Sequence, residues 1–248
     1  PPLYHRRALS ARRARMKEQR ATALAVAGLN VDIGPANILR GVTLAVPARK
    51  MCGLVGRNGA GKTTFMRAVM GLIPARDGAI RFDGSDLRAV PAFRRAHLGI
   101  GYLPEDRRLM PHLSAEENIL LPAWITHAAE TSERLRWIYE LIPEVAANAR
   151  RPANQLSGGQ QKMLALARAL MYGTKLLLLD EPFEGLAPVV AQRFGDILLK
   201  LKETGLAVLM AESSEIHAKD LFDRVFAIER GVVSPAGAGV RLTEHETK

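Results

Sequence analysis

Apolar residues recur along this chain with two spacings, and the places where one gives way to the other mark out its elements. Leu24 to Asn30 and Val42 to Val46 alternate or cluster apolar residues as short strands do, with Gly34-Pro35 marking a turn between them. Lys50-Met51-Cys52-Gly53-Leu54-Val55 is a nearly continuous apolar run, short enough for a strand buried on both faces. It runs through a glycine-rich loop into Thr64–Met70, whose apolar residues have helical spacing. Leu176–Leu179 repeats the buried-strand pattern, and Val208–Glu212 reads as the last strand of the core. Between them, Gln161–Leu170 has the spacing of a helix that Ser157 caps. Ser114-x-x-Glu117 is a capping box that starts another helix, while Leu141-Ile142-Pro143 and Arg151-Pro152 interrupt helical patterns. Strands followed by helices predict an α/β fold.

Composition narrows the class. Apolar residues make up 48% of the 248 and charged residues 24%, the balance of a packed globular chain and far from that of a disordered one. No apolar run approaches the roughly 18 residues of a membrane-spanning helix. Cys52 is the single cysteine, which excludes an internal disulfide and a cysteine-cluster metal site. With no secretory-type apolar run at the start, the reducing cytoplasm is the expected compartment.

The formal charge of +10 is concentrated at one end. Seven basic residues (Arg6, Arg7, Arg12, Arg13, Arg15, Lys17 and Arg20) stand against Glu18 alone in the first twenty positions, so six of the ten excess charges lie there. Residues 1–21 read as a solvated, disordered extension or as a contact for anionic lipid headgroups. The body is only mildly basic, and no nucleic-acid partner is expected.

The loop Gly56-Arg57-Asn58-Gly59-Ala60-Gly61-Lys62-Thr63 matches G-x-x-x-x-G-K-[ST] between a strand and the helix that begins near Thr64. Glycines let the backbone wrap a phosphate chain so closely that successive N–H groups point at its oxygens, and the helix adds its positive end. Lys62 is expected to reach the β- and γ-phosphates of ATP, and the Thr63 hydroxyl to ligate Mg²⁺. Further on, Leu176-Leu177-Leu178-Leu179-Asp180-Glu181 ends a buried strand in two acids, whose side chains should point to opposite sides of the pleat. Asp180 is expected in the Mg²⁺ shell, and Glu181 is expected to face the γ-phosphate and orient or deprotonate the attacking water.

Leu156-Ser157-Gly158-Gly159-Gln160 places two glycines and a hydroxyl at a helix start, a second anion site in a chain whose first loop already serves the γ-phosphate. Two copies meeting head to tail would resolve this, with the Ser157–Gly159 segment of one closing over the ATP held by Lys62 of the other.

These three stretches, in this order and spacing, resemble the nucleotide-binding domains of ATP-binding cassette proteins over about residues 22–234. Tyr102–Arg108, Leu113–Asn118 and Asp180–Pro188 are similar to the branched-chain amino acid and urea importer ATPases. The resemblance implies a P-loop NTPase, RecA-like core with an N-terminal antiparallel β subdomain and an inserted α-helical subdomain at about 107–170, followed by a tail at 235–248. It also implies a peripheral place on the cytoplasmic membrane face, transmembrane permease subunits, a second cassette (identical or paralogous) and a solute-binding protein. Met110, Pro111, His112 and Leu113 are either groove residues for the permease or ordinary core filling.

Three positions depart from the superfamily pattern. Ile33 aligns with the aromatic residue that stacks on adenine in many cassettes, and offers apolar contact without a π face. Glu105 replaces a Gln that senses Mg²⁺ and water, a substitution shared by importers of the resembled subfamily. Ser213 replaces the switch His, and slow hydrolysis dependent on Glu181 is expected. His217, four residues on, reads as a surface helix residue or a substitute switch. A transport motor is the leading reading. A cassette acting on ribosomes or nucleic acid, or a weakly hydrolysing regulatory cassette, are the alternatives.

Overall fold

In a computed structural model, residues 22–126, 131–214 and 220–235 are described. The basic extension, His217 and nearly all of the C-terminal tail lie outside these residues. The chain opens with a hairpin, β1 (Thr22–Ile33) and β2 (Ala36–Pro47), longer than the apolar alternation predicts. Its register slips between Val26 and Leu29, which restores Leu24, Val26, Leu29 and Val31 to one buried face. Gly34, at φ 57, makes the turn. After β3 (Met51–Val55) and α1 (Lys62–Val69) the chain returns with β4 (Asp77–Phe82) and β5 (Ser85–Asp86), completing an antiparallel sheet in the order β2-β1-β4-β5.

A short helix α2 (Ala92–Arg95) and strand β6 (Ile100–Leu103) follow, and then four helices precede the next strand. These are α3 (Ala115–Thr126), α4 (Thr131–Leu141), α5 (Pro143–Ala146) and α6 (Gly158–Tyr172). The Ser114–Glu117 capping box forms, with the Ser114 amide donating to Glu117 at 2.7 Å and the Glu117 amide donating to the Ser114 hydroxyl at 3.2 Å. The break between α4 and α5 falls at Ile142-Pro143. The Arg134 guanidinium donates to the carbonyls of Leu170 and Gly173, capping the C-terminal end of α6, where a cation is favoured.

The remaining elements are β7 (Leu176–Asp180), α7 (Pro188–Glu203), β8 (Ala207–Glu212), β9 (Arg224–Glu229) and β10 (Val232–Pro235). They join β3 and β6 in a second sheet of order β10-β9-β3-β8-β7-β6, parallel except for the edge strand β10. β8 is therefore not the last strand of the core. β9 pairs with β3 on its other side, its alternating Arg224-Val225-Phe226-Ala227-Ile228-Glu229 burying only Phe226 and Ile228.

The leucine run of β7 explains why this sheet has a layer on each face. Leu176 and Leu178 pack with Phe65, Met66 and Val69 of α1 and with Leu29, Leu39 and Phe82 of the antiparallel sheet. Leu177 and Leu179 point the other way, into Leu164 and Leu170 of α6 and Phe194 and Leu198 of α7. A strand buried on both faces reads as an unbroken apolar run because neither side is available to polar residues.

Candidate nucleotide site

The carboxyl ends of three neighbouring strands bring the predicted residues together. Val55 is paired with Glu212 across β3 and β8, and Asp180 with Ala211 across β7 and β8, so the loops leaving these strands share one edge of the sheet. The Gly56–Gly61 loop leaves β3 there, and the Gly56 amide donates to the Glu212 carbonyl at 3.1 Å. A Cβ on Gly56 would lie 2.2 Å from the Ile228 carbonyl oxygen, so the loop can pass β9 only with glycine at this position. Gly61, at φ 110, precedes α1 without any side-chain cap. Beside the loop is a cleft of about 440 Å³ lined by Ile38, Asn58, Gly59, Gly61, Lys62, Thr63, Thr64, Glu105, Glu181 and Glu184.

Lys62 is buried, and its ammonium donates to the carbonyls of Gly56 at 2.6 Å and Arg57 at 3.2 Å while pairing with the Glu181 carboxylate at 2.9 Å. The Thr63 hydroxyl donates to Asp180 at 3.1 Å, and the Tyr102 phenol donates to the other Asp180 oxygen at 3.3 Å. Burial pushes the Asp180 carboxyl up to about 6, with Glu105 and Glu181 adding to the rise against the hydrogen bonds from Thr63 and Tyr102. Burial and the Asp180 charge also raise the Tyr102 phenol, which therefore stays protonated as a donor.

Asp180 and Glu181 differ in placement for a reason other than the pleat. Asp180 is the last residue of β7, whereas Glu181 lies beyond it in the left-handed region at φ 48. Such a backbone costs of order 1–3 kcal/mol for a residue with a Cβ and needs support from its surroundings. The Glu181 amide donates to the Ala211 carbonyl at 3.0 Å, its carbonyl accepts from Lys162 at 2.7 Å, and one carboxylate oxygen accepts from the Ser213 amide at 3.1 Å. Ser213 thus meets Glu181 through its backbone. Glu212, buried at the end of β8, accepts from the Phe183 amide at 3.3 Å and shares a hydrogen bond with Glu181. Burial and the Glu181 charge push its carboxyl up to about 8.

Of the sequence-predicted residues, Asp180 and Ser213 do not line the cleft, and Gly56, Arg57 and Ala60 shape the loop without lining it; the Arg57 carbonyl accepts from both Lys62 and the Ala60 amide. Ile33 stands at the tip of the β1–β2 hairpin, 48% exposed, and Ile38 is the isoleucine on the cleft wall. Ser157 caps α6 and forms a reciprocal pair with Gln160, each accepting from the other's amide. Ser157, Gly158, Gly159 and Gln160 do not line the cleft of their own chain. A Cβ on Gly159 would lie 2.9 Å from Val190, whereas one on Gly158 would meet only Arg107 at 3.7 Å. Glycine at 158 is thus not required by packing within the chain.

Glu212, Lys162, Tyr102 and Ile38 were not anticipated. Glu212 ends an apolar strand as Asp180 does, a signal that was present in the sequence. Lys162 interrupts an apolar helix face, a pattern that resembles ordinary amphipathicity.

A second cleft, of about 380 Å³, is lined by Asp106, Arg107, Arg108, Leu109, Pro111, Ala153, Asn154 and Gln161. Its rim at Met110–Ser114 is held by buried Asn118, which accepts from the Met110 amide at 2.8 Å and donates to the carbonyls of Met110, Leu113 and Ser114. Met110, Pro111 and His112 are exposed, and Leu113 is half-buried. Among the described residues no helix is long and apolar enough to cross a membrane.

A family model described as ABC transporter matches residues 39–184. The high-affinity branched-chain amino acid transport ATP-binding protein BraG of Pseudomonas aeruginosa is 34% identical over 209 residues, 84% of this chain and 90% of that protein. The lipopolysaccharide export system ATP-binding protein LptB of Haemophilus influenzae is 32% identical over 211 residues, 84% of this chain and 88% of that protein. A solved ATP-binding subunit of an ABC transporter is 28% identical with a TM-score of 0.75, over 86% of this chain and 88% of that one.

Proposed function

This chain belongs to the ABC transporter family, and from that premise we propose that it is the ATP-hydrolysing subunit of an importer for branched-chain amino acids or a related small solute. The observation that carries the chemistry is the convergence of Lys62, Thr63 and Glu181 on one cleft, with buried Asp180 accepting a hydrogen bond from Thr63. Lys62 and the amides of the Gly56–Gly61 loop bind the β- and γ-phosphates, and Thr64 extends that cradle into α1. Ile38 and Ile33 supply apolar contact for the base. Glu181 orients the attacking water and takes its proton.

The donor set fits magnesium, since a hydroxyl and a carboxylate, both hard oxygen ligands, meet at 3.1 Å. Thr63 and Asp180, with Glu105 on the cleft wall, would hold the ion, which when bound neutralises charge on the phosphate oxygens.

Gly158 is the ground for a head-to-tail dimer: a glycine that packing within the chain does not require suits a turn closing over the neighbour's nucleotide. The second cassette is a copy of this chain or a paralogue. The helical segment from about Arg107 to Leu170 receives the permease at the cleft below Met110, and a solute-binding protein completes an importer. The likeness to LptB supports a second reading, export of an amphipathic lipid. Transport assays in proteoliposomes with the co-purifying membrane subunits decide between them: ATP-driven uptake of a labelled branched-chain amino acid supports the first reading, and uptake-free ATPase stimulated by lipid supports the second. In the same preparation, turnover in Lys62→Ala equal to that of the parent overturns the chemistry.

A further inference from the structure

Lys162 is a buried cation for which the chemistry above has no use. It lies one turn into α6, on the helix that Ser157 opens, and is 3% exposed. Its ammonium donates at 2.7 Å to the main-chain carbonyl of Glu181, an oxygen that also accepts from the Glu184 amide at 3.2 Å. Taking an ammonium out of water is costly, and one carbonyl offsets only part of the cost. Desolvation lowers the pKa of Lys162 and the nearby Arg107 charge lowers it further, while Glu184, Glu212 and Glu105 oppose the fall. A methionine of similar length would fill the same space without this cost, so the ammonium is retained for something other than packing.

The carbonyl it holds belongs to the residue at φ 48 whose side chain faces the cleft. On the dimer reading proposed above, the two ends of this contact serve different nucleotides: α6 begins at the Ser157-Gly158 turn that would close over the neighbour's ATP, and Glu181 faces the cleft of its own chain. We propose that Lys162 is a positioning residue: its ammonium pins the Glu181 backbone in the left-handed turn and ties the carboxylate to the helix that senses the neighbour's nucleotide. The inference rests on the proposed readings of Glu181 as the residue that orients water and of the Ser157-Gly158 turn as the cover of a neighbour's nucleotide.

The test uses the purified full chain. Lys162→Met, Lys162→Arg and Glu181→Gln are compared with the parent for thermal midpoint, MgATP affinity by titration with a non-hydrolysable analogue, and steady-state ATPase. Lys162→Met is expected to keep its thermal midpoint and bind nucleotide within twofold of the parent, with kcat at least tenfold lower. Lys162→Arg, which keeps the charge and donors, is expected to recover most of that loss. Should Lys162→Met fail to fold, the same comparison is read on Lys162→Gln. A parental kcat in the folded neutral variant overturns the proposal, as does a kcat loss matched by an equal loss of nucleotide affinity or not recovered by Arg. If Glu181→Gln turns over normally, the reading of Glu181 itself fails. If Glu181→Gln is inactive while the neutral Lys162 variant runs at the parental rate, only the role of Lys162 falls.

Discussion

Lys62 and Glu181 form an ion pair at 2.9 Å in which both side chains are less than a tenth exposed. The cation proposed to bind phosphate and the carboxylate proposed to handle water therefore hold each other, and on that reading a triphosphate competes with Glu181 for the ammonium. A buried pair of this kind restrains both partners, and removing one charge leaves the other uncompensated.

Neutralising Glu181 should consequently separate binding from chemistry. Glu181→Gln keeps the shape and frees the Lys62 charge for phosphate, so MgATP affinity is expected to rise several-fold while kcat falls about 100-fold or more, the scale of a lost general base. Equilibrium titration and steady-state ATPase on the same sample check this. A variant that binds ATP more weakly than the parent would show that the pair is not in competition with nucleotide.

The two glycines of the Ser157 turn should respond differently to a methyl group. Gly159→Ala drives a Cβ to 2.9 Å from Val190 and is expected to destabilise the fold by about 1–3 kcal/mol, the cost of overpacking. Gly158→Ala meets nothing nearer than 3.7 Å and should leave the thermal midpoint unchanged, yet abolish ATP-dependent dimerisation and turnover by occupying the space for the neighbour's nucleotide. Thermal melts and size-exclusion chromatography with ATP separate the two. Equal effects on stability would remove the case for a surface reserved for a second chain.

How much of this was legible beforehand follows from where the information resides. The Gly56–Thr63 loop is set by local backbone demands and phosphate chemistry, and the leucines of β7 by burial on both faces, so both can be read from short windows. Ile38 could not be read so. Its place on the cleft depends on register slips in β1 and β2 and on the close approach of Gly61 to Leu39, both set by tertiary packing. β9 was missed because its pairing with β3 joins residues far apart in sequence and its polar positions face outward. The contact of Lys162 with Glu181 spans 19 positions and two elements, and nothing in the apolar spacing of α6 distinguishes it from a solvated lysine.

Glu212 gives the fold a dependence on pH. Its carboxyl is pushed up to about 8 by burial and by the Glu181 charge, with Lys162 opposing, against an ordinary value of 4.5. The folded state therefore holds a proton that the unfolded chain has lost. The associated stability is fully present below about pH 4.5 and is lost progressively as pH rises through 8. Glu212→Gln mimics the protonated group at all pH values, so its urea midpoint should decline less between pH 5 and 8 than the parent's. Parallel declines would mean that Glu212 does not carry the dependence.

Ser213, expected from the sequence to stand in for a switch histidine, makes its contact with Glu181 by the main-chain amide at 3.1 Å. A side chain that does not make the contact is replaceable. Ser213→Ala keeps the amide, and its turnover should stay within twofold of the parent's. Ser213→His keeps the amide and adds a longer donor beside the cleft, and hydrolysis is expected to quicken several-fold as the imidazole reaches the phosphate. Steady-state ATPase at saturating MgATP reads both variants. A large loss in Ser213→Ala would mean that the hydroxyl participates directly, and unchanged turnover in Ser213→His would mean that the absence of imidazole does not limit the rate.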